Sequence, residues 1–413
     1  MSATMAYQPG DTLYLWYLGR PEQPVLVGEL NLVMSGRGVS LRYAPHWLRQ
    51  GFALSEDLPL LDREHLPAEK DSAAGAVDDA RPDRWGERVI RLLERPPRLS
   101  ILEMLYFTGD DRFGALGVSI DAERYLPHTQ PALPTLGDVE RVHALIRKVQ
   151  IGAPVQEHER RLIAPCATMG GARPKALVQV EGEAWVLKFG EEAGSGDGLV
   201  AHASMTLAAQ AGIRVARTRP IALARGTAVA VERFDRAPGL RLHALSAHVV
   251  LRAAASEMSY PALAQWLRRR GVVAEGLHRQ DMHELFRRLV FNILIDNTDD
   301  HEKNHALLAM DNQQFRLSPA FDVLPTGQAL GYQSMGVGED GAASHVDNAL
   351  SMAASYGLTS REARDAARRV AAVVGGWRSH FSAMGVDENT IALLADQIDR
   401  PFLRDQRQAL LTA

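Results

Sequence analysis

The 413-residue sequence predicts an α+β protein with a β-rich N-terminal part and a mostly helical C-terminal part. Short β-rich segments separated by turn residues fill the first 43 residues, whereas apolar residues recur at helical spacing after residue 245. Apolar residues make up 46% and charged residues 23% of the chain, as in ordinary globular proteins. Because the length exceeds what one hydrophobic core usually supports, we expect more than one packed unit.

The first predicted elements are strands over residues 12–17, 25–33 and 39–43, which follow one another as an antiparallel β-meander. A helix is predicted over residues 79–93, because cap-type residues and Pro82 precede apolar residues at helical spacing. We expect this helix to cover the sheet.

Residues 127–137 contain three prolines and a glycine among few apolar residues, which is typical of a linker. The chain is therefore predicted to divide into a β-rich subdomain (1–126), the linker (127–137), a second lobe (138–245) and a helical lobe (246–413). Residues 191–198 are predicted to form a loop between a strand and a helix.

Three helices are predicted in the last lobe. Residues 283–295 form an amphipathic pattern, with apolar residues facing a core and Glu284, Arg287 and Arg288 on the other side. Thr359 and Glu362 form a capping-box pattern that opens a helix through Val374, and residues 387–398 form the third helix.

Several protein classes are disfavoured by composition. A formal net charge of -4 provides no cationic field that would hold nucleic acid directly. The sequence shows no stretch of membrane-spanning apolar length and no signal-peptide pattern. Cys166, the one cysteine, excludes an intramolecular disulfide and is expected to be a small buried side chain rather than a nucleophile. We therefore expect a cytoplasmic protein with no membrane partner.

The densest polar segment, residues 297–305, directly follows the amphipathic helix. Asp299 could accept the proton of an attacking hydroxyl, and Asn304, five residues later, could bind a metal ion. This Asp-x-x-x-x-Asn spacing is that of a kinase catalytic loop. A predicted hairpin then returns the chain so that Asp322 lies beside the loop as a second metal ligand.

A nucleotide also needs cationic or amide groups at its phosphates. Lys188 interrupts an apolar strand and is the candidate cation, with an exposed strand edge as the alternative. Upstream, a glycine-containing segment could approach phosphates with its backbone amides or form a plain turn: Gly170, Gly171, Ala172 and Arg173. The order of these elements along the chain favours a kinase-like fold that binds ATP and Mg²⁺.

His301-Glu302-Lys303-Asn304-His305 also matches the His-Glu-x-x-His pattern of zinc hydrolases. That alternative needs a helix that presents both histidines on one face, with Glu302 as the base. It would leave Asp299, Lys188 and the glycine segment unexplained.

The chain resembles the HipA family, the toxin kinases of bacterial type II toxin-antitoxin systems, over nearly its full length. Residues 297–304 are similar to the family's Asn-Thr-Asp-x-His-x-Lys-Asn motif. Further similar segments are the glycine segment 170–175, the Glu-Arg-Phe-Asp-Arg hinge at 232–236, the Pro-x-Phe-Asp segment at 319–322, and residues 83–86 and 109–116.

The resemblance implies that Asp299 is the catalytic base, that Asn304 and Asp322 bind Mg²⁺, and that Lys188 holds the phosphates of ATP. It also implies that Glu232 and Phe234 meet adenine through their backbone, a role that main-chain groups can perform.

For the whole protein, the resemblance implies a serine/threonine protein kinase whose substrate is an aminoacyl-tRNA synthetase. A HipB-like antitoxin is the implied partner, with DNA reached only through that antitoxin. Family members phosphorylate a serine in the glycine loop. Thr168 occupies the matching position here, so self-phosphorylation and a plain branched residue at a strand end both remain open. An ATP-binding module without catalysis and a small-molecule phosphotransferase are the further alternatives.

Overall fold

The computed structural model describes residues 7–8, 10–129, 131–163, 171, 173–190, 196–326 and 328–412. Helices and sheets are both extensive, which confirms the predicted α+β class. The chain forms two compact units, Met1–Ala184 with Asp235–Leu245 and Trp185–Phe234 with Ser246–Ala413. The predicted linker, residues 127–137, lies within the first unit, and the predicted domain limits stay a prediction.

The strands follow in chain order. They are β1 (Thr12–Tyr17), β2 (Val25–Val33), β3 (Gly38–Tyr43), β4 (Glu64–His65), β5 (Ser72–Ala73), β6 (Leu116–Ser119), β7 (Lys175–Val180), β8 (Glu183–Lys188), β9 (Thr218–Ala222), β10 (Thr227–Glu232), β11 (Arg236–Ala237), β12 (Leu240–Arg241), β13 (Ala244–Ser246), β14 (Ala306–Ala309) and β15 (Phe315–Leu317).

The α-helices are numbered in the same way. They are α1 (Pro45–Gln50), α2 (Arg84–Val89), α3 (Ile101–Phe107), α4 (Val139–Ile151), α5 (Asp197–Gln210), α6 (Ala247–Ala253), α7 (Tyr260–Arg270), α8 (Leu277–Leu294), α9 (Val346–Ser351), α10 (Ser360–Gly375), α11 (Trp377–Ala383), α12 (Glu388–Ile398) and α13 (Pro401–Thr412).

The first unit contains a sheet in the order β4-β3-β2-β1-β6, with β5 added in parallel to β3. The pairings of β1 with β2 and of β2 with β3 are antiparallel, which confirms the predicted meander. Leu15, Val27, Leu30 and Leu41 are fully buried. The alternation of apolar residues along these strands therefore forms the core of the unit.

The predicted helix over residues 79–93 was wrong at its start. Residues Gly75–Ala80 form a 3-10 helix, and α2 begins only at Arg84. The reason is that the Asp83 carboxylate accepts a hydrogen bond from the Gly86 N–H at 2.8 Å, which makes Asp83 the N-cap residue. Beyond Val89 the chain continues as one π-helical turn, Ile90–Glu94.

In the second unit β10 pairs antiparallel with β8 and β9, and α5 packs against β9 and β10. The close approach of α5 to the sheet requires Gly198, because a Cβ atom there would lie 2.3 Å from the Thr227 carbonyl oxygen. The helix and the strands therefore form one layered unit.

Helix α8 is longer and more deeply buried than predicted. It begins at Leu277, and the expected apolar face is buried, but Glu284 and Arg288 are buried as well. They were predicted to face away from the core. Their burial is possible because Arg288 donates to the Glu284 carboxylate at 3.1 Å and Arg214 donates to it at 2.6 Å.

The other two predicted helices are confirmed. Thr359 and Glu362 form the capping box of α10, and Asp387 caps α12. Within the described part of the chain, we find no helix with the length and apolar character that a membrane span requires.

Candidate active site

The polar segment 297–305 leaves the buried end of α8 and brings one carboxylate to the surface. Asp296 turns the chain with a left-handed φ of 61°, and the Asn297 side chain donates to the Asn292 side-chain oxygen at 3.1 Å. Asn297, Thr298 and Asp300 are buried, whereas Asp299 is exposed. The loop therefore presents Asp299 to solvent while its neighbours hold the backbone.

Asn304 lies on the same loop and is tied to Asp299. Its side-chain nitrogen donates to the Asp299 carbonyl oxygen at 3.3 Å. Its Oδ1 atom is buried without a hydrogen-bond partner among the described residues. Because a buried acceptor without a partner is costly, this oxygen is suited to a water molecule or a cation.

Asn304 and Asp322 line one small cavity of about 10 Å³. A cavity of this size has room for roughly one water molecule. Carboxylate and amide oxygens are ligands that Mg²⁺ accepts, and it usually completes its shell with water and substrate phosphates. The two side chains therefore fit the predicted metal role, and the hairpin of β14 and β15 brings them together as expected.

Lys188 is the last residue of β8 and points at Asp322. Its Nζ atom donates to Asp322 Oδ1 at 2.7 Å and to the Phe321 carbonyl oxygen at 2.9 Å. The side chains of Lys188 and Asp322 are 13% and 16% exposed. Lys188 is therefore not a lysine of an exposed strand edge, and both partners remain within reach of a ligand.

The two residues of the predicted adenine contact lie at the end of β10 and just beyond it. The Glu232 carboxylate accepts two hydrogen bonds from Arg217 at 2.6 Å, and the Glu232 N–H donates to the Arg217 carbonyl at 2.9 Å. The Phe234 ring lies 5.3 Å from the ring of Phe321. These contacts fix the segment locally, and its role in adenine binding stays a prediction.

The glycine segment is only partly described. Gly170, Ala172, Thr168 and Cys166 lie outside the described residues, and Gly171 and Arg173 lie in the first unit. Lys175 Nζ donates hydrogen bonds to the Gly171 carbonyl oxygen at 2.9 Å and to the Asp83 carboxylate at 2.6 Å. The sequence analysis did not predict the pair of Lys175 and Asp83, although both residues lie in segments that resemble the family.

Residues 301–305, all of them described, do not form the α-helix that the zinc alternative requires. Glu302–Asn304 is a single 3-10 turn capped by the His301 side chain. The Glu302 carboxylate pairs with His248 at 3.1 Å, and His305 pairs with Asp300 at 2.8 Å. The hydrogen bond with His248 lowers the pKa of Glu302 to about 2. His301, Glu302 and His305 therefore each make a structural contact of their own.

The structure adds a buried group that sequence reasoning missed. The Asp300 carboxylate accepts hydrogen bonds from the Tyr260 hydroxyl, from the Asn292 amide at 2.8 Å and from His305 Nε2 at 2.8 Å. Burial raises the pKa of Asp300, but the charge and hydrogen bond of His305 and the hydroxyl of Tyr260 outweigh it, so that the pKa falls below its usual value. In the sequence, this buried group was indicated only by the adjacent aspartates at 299 and 300.

Comparison with known proteins matches two segments of the chain to domains of one family. Residues 23–119 match the HipA N-terminal domain, and residues 167–377, more than half of the chain, match the HipA-like C-terminal domain. A putative kinase, Y4dM, of Sinorhizobium fredii is 30% identical over 185 residues, which are 42% of this chain. The chain spans 43% of the length of that relative.

Among solved structures, the HipA chain of a Shewanella oneidensis HipA, HipB and operator DNA complex matches with a TM-score of 0.60 at 18% identity. The match covers 97% of this chain and 96% of that one, and it supports the kinase-like fold. The Helicobacter pylori kinase CtkA covers 59% of this chain and 92% of its own at a TM-score of 0.45 and 13% identity. From the two domain matches, the chain belongs to the HipA family.

Proposed function

We propose that this protein is an ATP- and Mg²⁺-dependent kinase that transfers a phosphoryl group to a serine or threonine of another protein. One observation carries the proposal. Lys188 and Asn304 converge on Asp322, Lys188 through an ion pair and Asn304 through a shared cavity, while the exposed Asp299 lies on the loop of Asn304. Family membership supports the same conclusion.

In this proposal each residue has a separate task. Asp299 accepts the proton of the attacking hydroxyl, and its exposure allows a protein side chain to reach it. Lys188 holds the phosphates while it keeps Asp322 in place. Asn304 and Asp322 hold Mg²⁺, which supplies neutralisation of charge on the phosphates when bound. The backbone of Glu232 and Phe234 contacts the adenine of ATP.

The test is Asp299→Asn in a phosphoryl-transfer assay with labelled ATP and bacterial extract. Loss of a general base lowers the rate by about 10² to 10⁴, whereas ATP binding and folding are retained. Asp311→Asn is the matched control, because Asp311 is an exposed carboxylate in the hairpin turn and should leave the rate unchanged. Near wild-type turnover by Asp299→Asn would show that Asp299 is not the base.

The metal is tested by thermal unfolding. ATP and Mg²⁺ together should raise the melting temperature, because ligands that bind only the folded state stabilise it, and Asp322→Ala should remove the Mg²⁺-dependent part. Strong stabilisation by zinc without any effect of ATP would favour the zinc hydrolase instead.

The acceptor is proposed to be an aminoacyl-tRNA synthetase, so that expression halts growth by arresting translation. Phosphoproteomics after induction should reveal a phosphorylated synthetase, with toxicity abolished by Asp299→Asn. Label confined to small molecules would identify a small-molecule phosphotransferase. ATP binding without any transfer would identify a binding module.

The proposed partner is a HipB-like antitoxin, because the solved HipA relative is in a complex with HipB and operator DNA. A net charge of -4 fits contact with DNA only through that partner. Operator DNA should be retarded by the antitoxin and retarded further when this chain is added. Direct retardation by this chain alone would contradict the proposal.

A further inference from the structure

A buried polar cluster surrounds Asp300, the residue that follows the exposed Asp299 of the loop. We call Asp300 with its three donors, Tyr260, Asn292 and His305, the Asp300 cluster. Tyr260 opens α7, Asn292 lies near the end of α8, and His305 follows the 3-10 turn of the loop. The cluster therefore ties two helices and the end of the loop to one carboxylate within it.

The connections across the loop occur at adjacent positions. Asn304 donates to the Asp299 carbonyl oxygen, and the next residue, His305, pairs with the next carboxylate, Asp300. Each of the two residues proposed for chemistry on this loop is thus followed by a residue that is anchored in the core. A shift of Asp300 would move the backbone of Asp299 and, through His305, that of Asn304.

The cluster carries the cost of a buried charge with little exposure to solvent, and Asn292, Asp300 and His305 line the same small cavity as Asn304 and Asp322. Asp300 and His305 are 3% and 2% exposed, and Tyr260 is fully buried. A buried carboxylate is tolerated only when hydrogen bonds satisfy it, and the three donors around Asp300 do so, although His305 Nδ1 has no hydrogen-bond partner among the described residues. Asp300 is itself too buried to reach a protein substrate, so its role is indirect.

We propose that Asp300 is a positioning residue that holds Asp299 and Asn304 in the geometry of phosphoryl transfer. The inference rests on the proposed kinase function. It assigns a task to the position that the family motif leaves variable between Asp299 and His301, and it accounts for His305. Loss of the cluster is expected to misplace the Asn304 oxygen and so to weaken the use of Mg²⁺.

The test is Asp300→Asn, which keeps the shape of the side chain and removes its charge. Loss of a group that orients metal ligands typically costs about 10- to 100-fold in metal affinity or activity. We expect the Mg²⁺ concentration for half-maximal rate, and that for half-maximal thermal stabilisation in the presence of ATP, each to rise by about 10-fold on that basis. The KM for ATP at saturating Mg²⁺ should stay close to that of the wild type.

Phe381→Leu is the control for mere destabilisation, because Phe381 on α11 is fully buried against Trp377 and lies outside the loop. It should lower the melting temperature and leave the Mg²⁺ dependence unchanged. Tyr260→Phe removes one donor and should shift the Mg²⁺ dependence in the same direction by less, which keeps the test informative if Asp300→Asn does not fold.

Two outcomes are decisive and distinct. If the wild type is active and a folded Asp300→Asn variant shows an unchanged Mg²⁺ dependence, the positioning role alone is overturned. If Asp300→Asn does not fold, an unchanged Mg²⁺ dependence of Tyr260→Phe has the same consequence. Absence of transfer by the wild type with every tested acceptor would overturn the kinase function and this role with it.

Discussion

Two lysine–aspartate pairs of almost equal length occupy the two units of the molecule and differ in exposure. Lys175 and Asp83 in the first unit lie 2.6 Å apart and are 1% and 8% exposed. Lys188 and Asp322 in the second unit lie 2.7 Å apart and are 13% and 16% exposed. Distance alone thus does not separate a structural pair from a pair at a candidate site, whereas access to a ligand does.

The contacts around each lysine support the same distinction. Lys175 Nζ also donates to the Gly171 carbonyl, and the Trp85 indole N–H donates to the Lys175 carbonyl at 2.7 Å, so the pair is enclosed by its own unit. Lys188 and Asp322 lie instead beside the cavity of Asn304. We therefore expect the buried pair of Lys175 and Asp83 to contribute to stability. The more accessible pair of Lys188 and Asp322 is expected to contribute to catalysis.

The largest expected effect is on stability. Lys175→Met leaves Asp83 buried and without its cation, which for buried pairs costs about 3 to 5 kcal/mol. Addition of Asp83→Asn should restore part of the loss, because asparagine carries no charge and still serves as an N-cap for α2. The stability of both variants is measured by urea unfolding, with hydrogen exchange of the first unit as the probe. A Lys175→Met variant as stable as the wild type would remove burial as the deciding factor.

The next effect is on activity. Lys188→Met should lower the transfer rate by about 10²- to 10³-fold, as expected when one electrostatic contact to a reacting group is lost. Because this pair is more open than that of Lys175 and Asp83, the free energy of unfolding should fall by less than the roughly 3 to 5 kcal/mol expected for Lys175→Met. Lys148→Met, which removes the lysine of an ion pair with Glu159 in the first unit, is the matched lysine control. A greater loss of stability than of activity in Lys188→Met would reverse the assignment.

The same two pairs show what the sequence could not provide. Lys175 and Asp83 are 92 positions apart, and Lys188 and Asp322 are 134 positions apart, so no local pattern reports either partner. Lys188 and Asp322 were each proposed from sequence as site residues, but their pairing was not, whereas Asp299 and Asn304 share one short segment whose spacing is itself the signal. Their catalytic roles stay predictions.

Local signals also decided which elements were predicted well. The capping box of α10 and the alternation in β1 to β3 depend on neighbouring residues, and both were correct. The polar face expected for α8 was wrong, because Glu284 finds Arg214 only after the chain has folded. Hydrophobic periodicity cannot report a buried charge that is satisfied by a distant residue.

The last and most gradual effect is the pH dependence of stability, in which Glu284 separates burial from membership of a unit. Glu284 and Arg288 are 4% and 3% exposed and lie in the second unit with Lys188. Burial raises the pKa of Glu284, but the charges of Arg288 and Arg214 lower it by more than burial raises it. The pKa of Glu284 is therefore below its ordinary value of 4.5. A buried pair in this unit should therefore behave like Lys175 and Asp83.

A carboxylate with a lowered pKa contributes stability that is complete above its ordinary pKa and is lost as the pH falls through the lowered one. The difference in free energy of unfolding between the wild type and Glu284→Gln should therefore be constant near pH 6 and should shrink as the pH falls below about 4.5. Urea unfolding at pH 6, 5, 4 and 3 measures it, with exposed Asp311→Asn as the control. Parallel pH curves for the wild type and Glu284→Gln would mean that burial does not couple this carboxylate to folding, and the distinction drawn between the two lysine pairs would lose its physical basis.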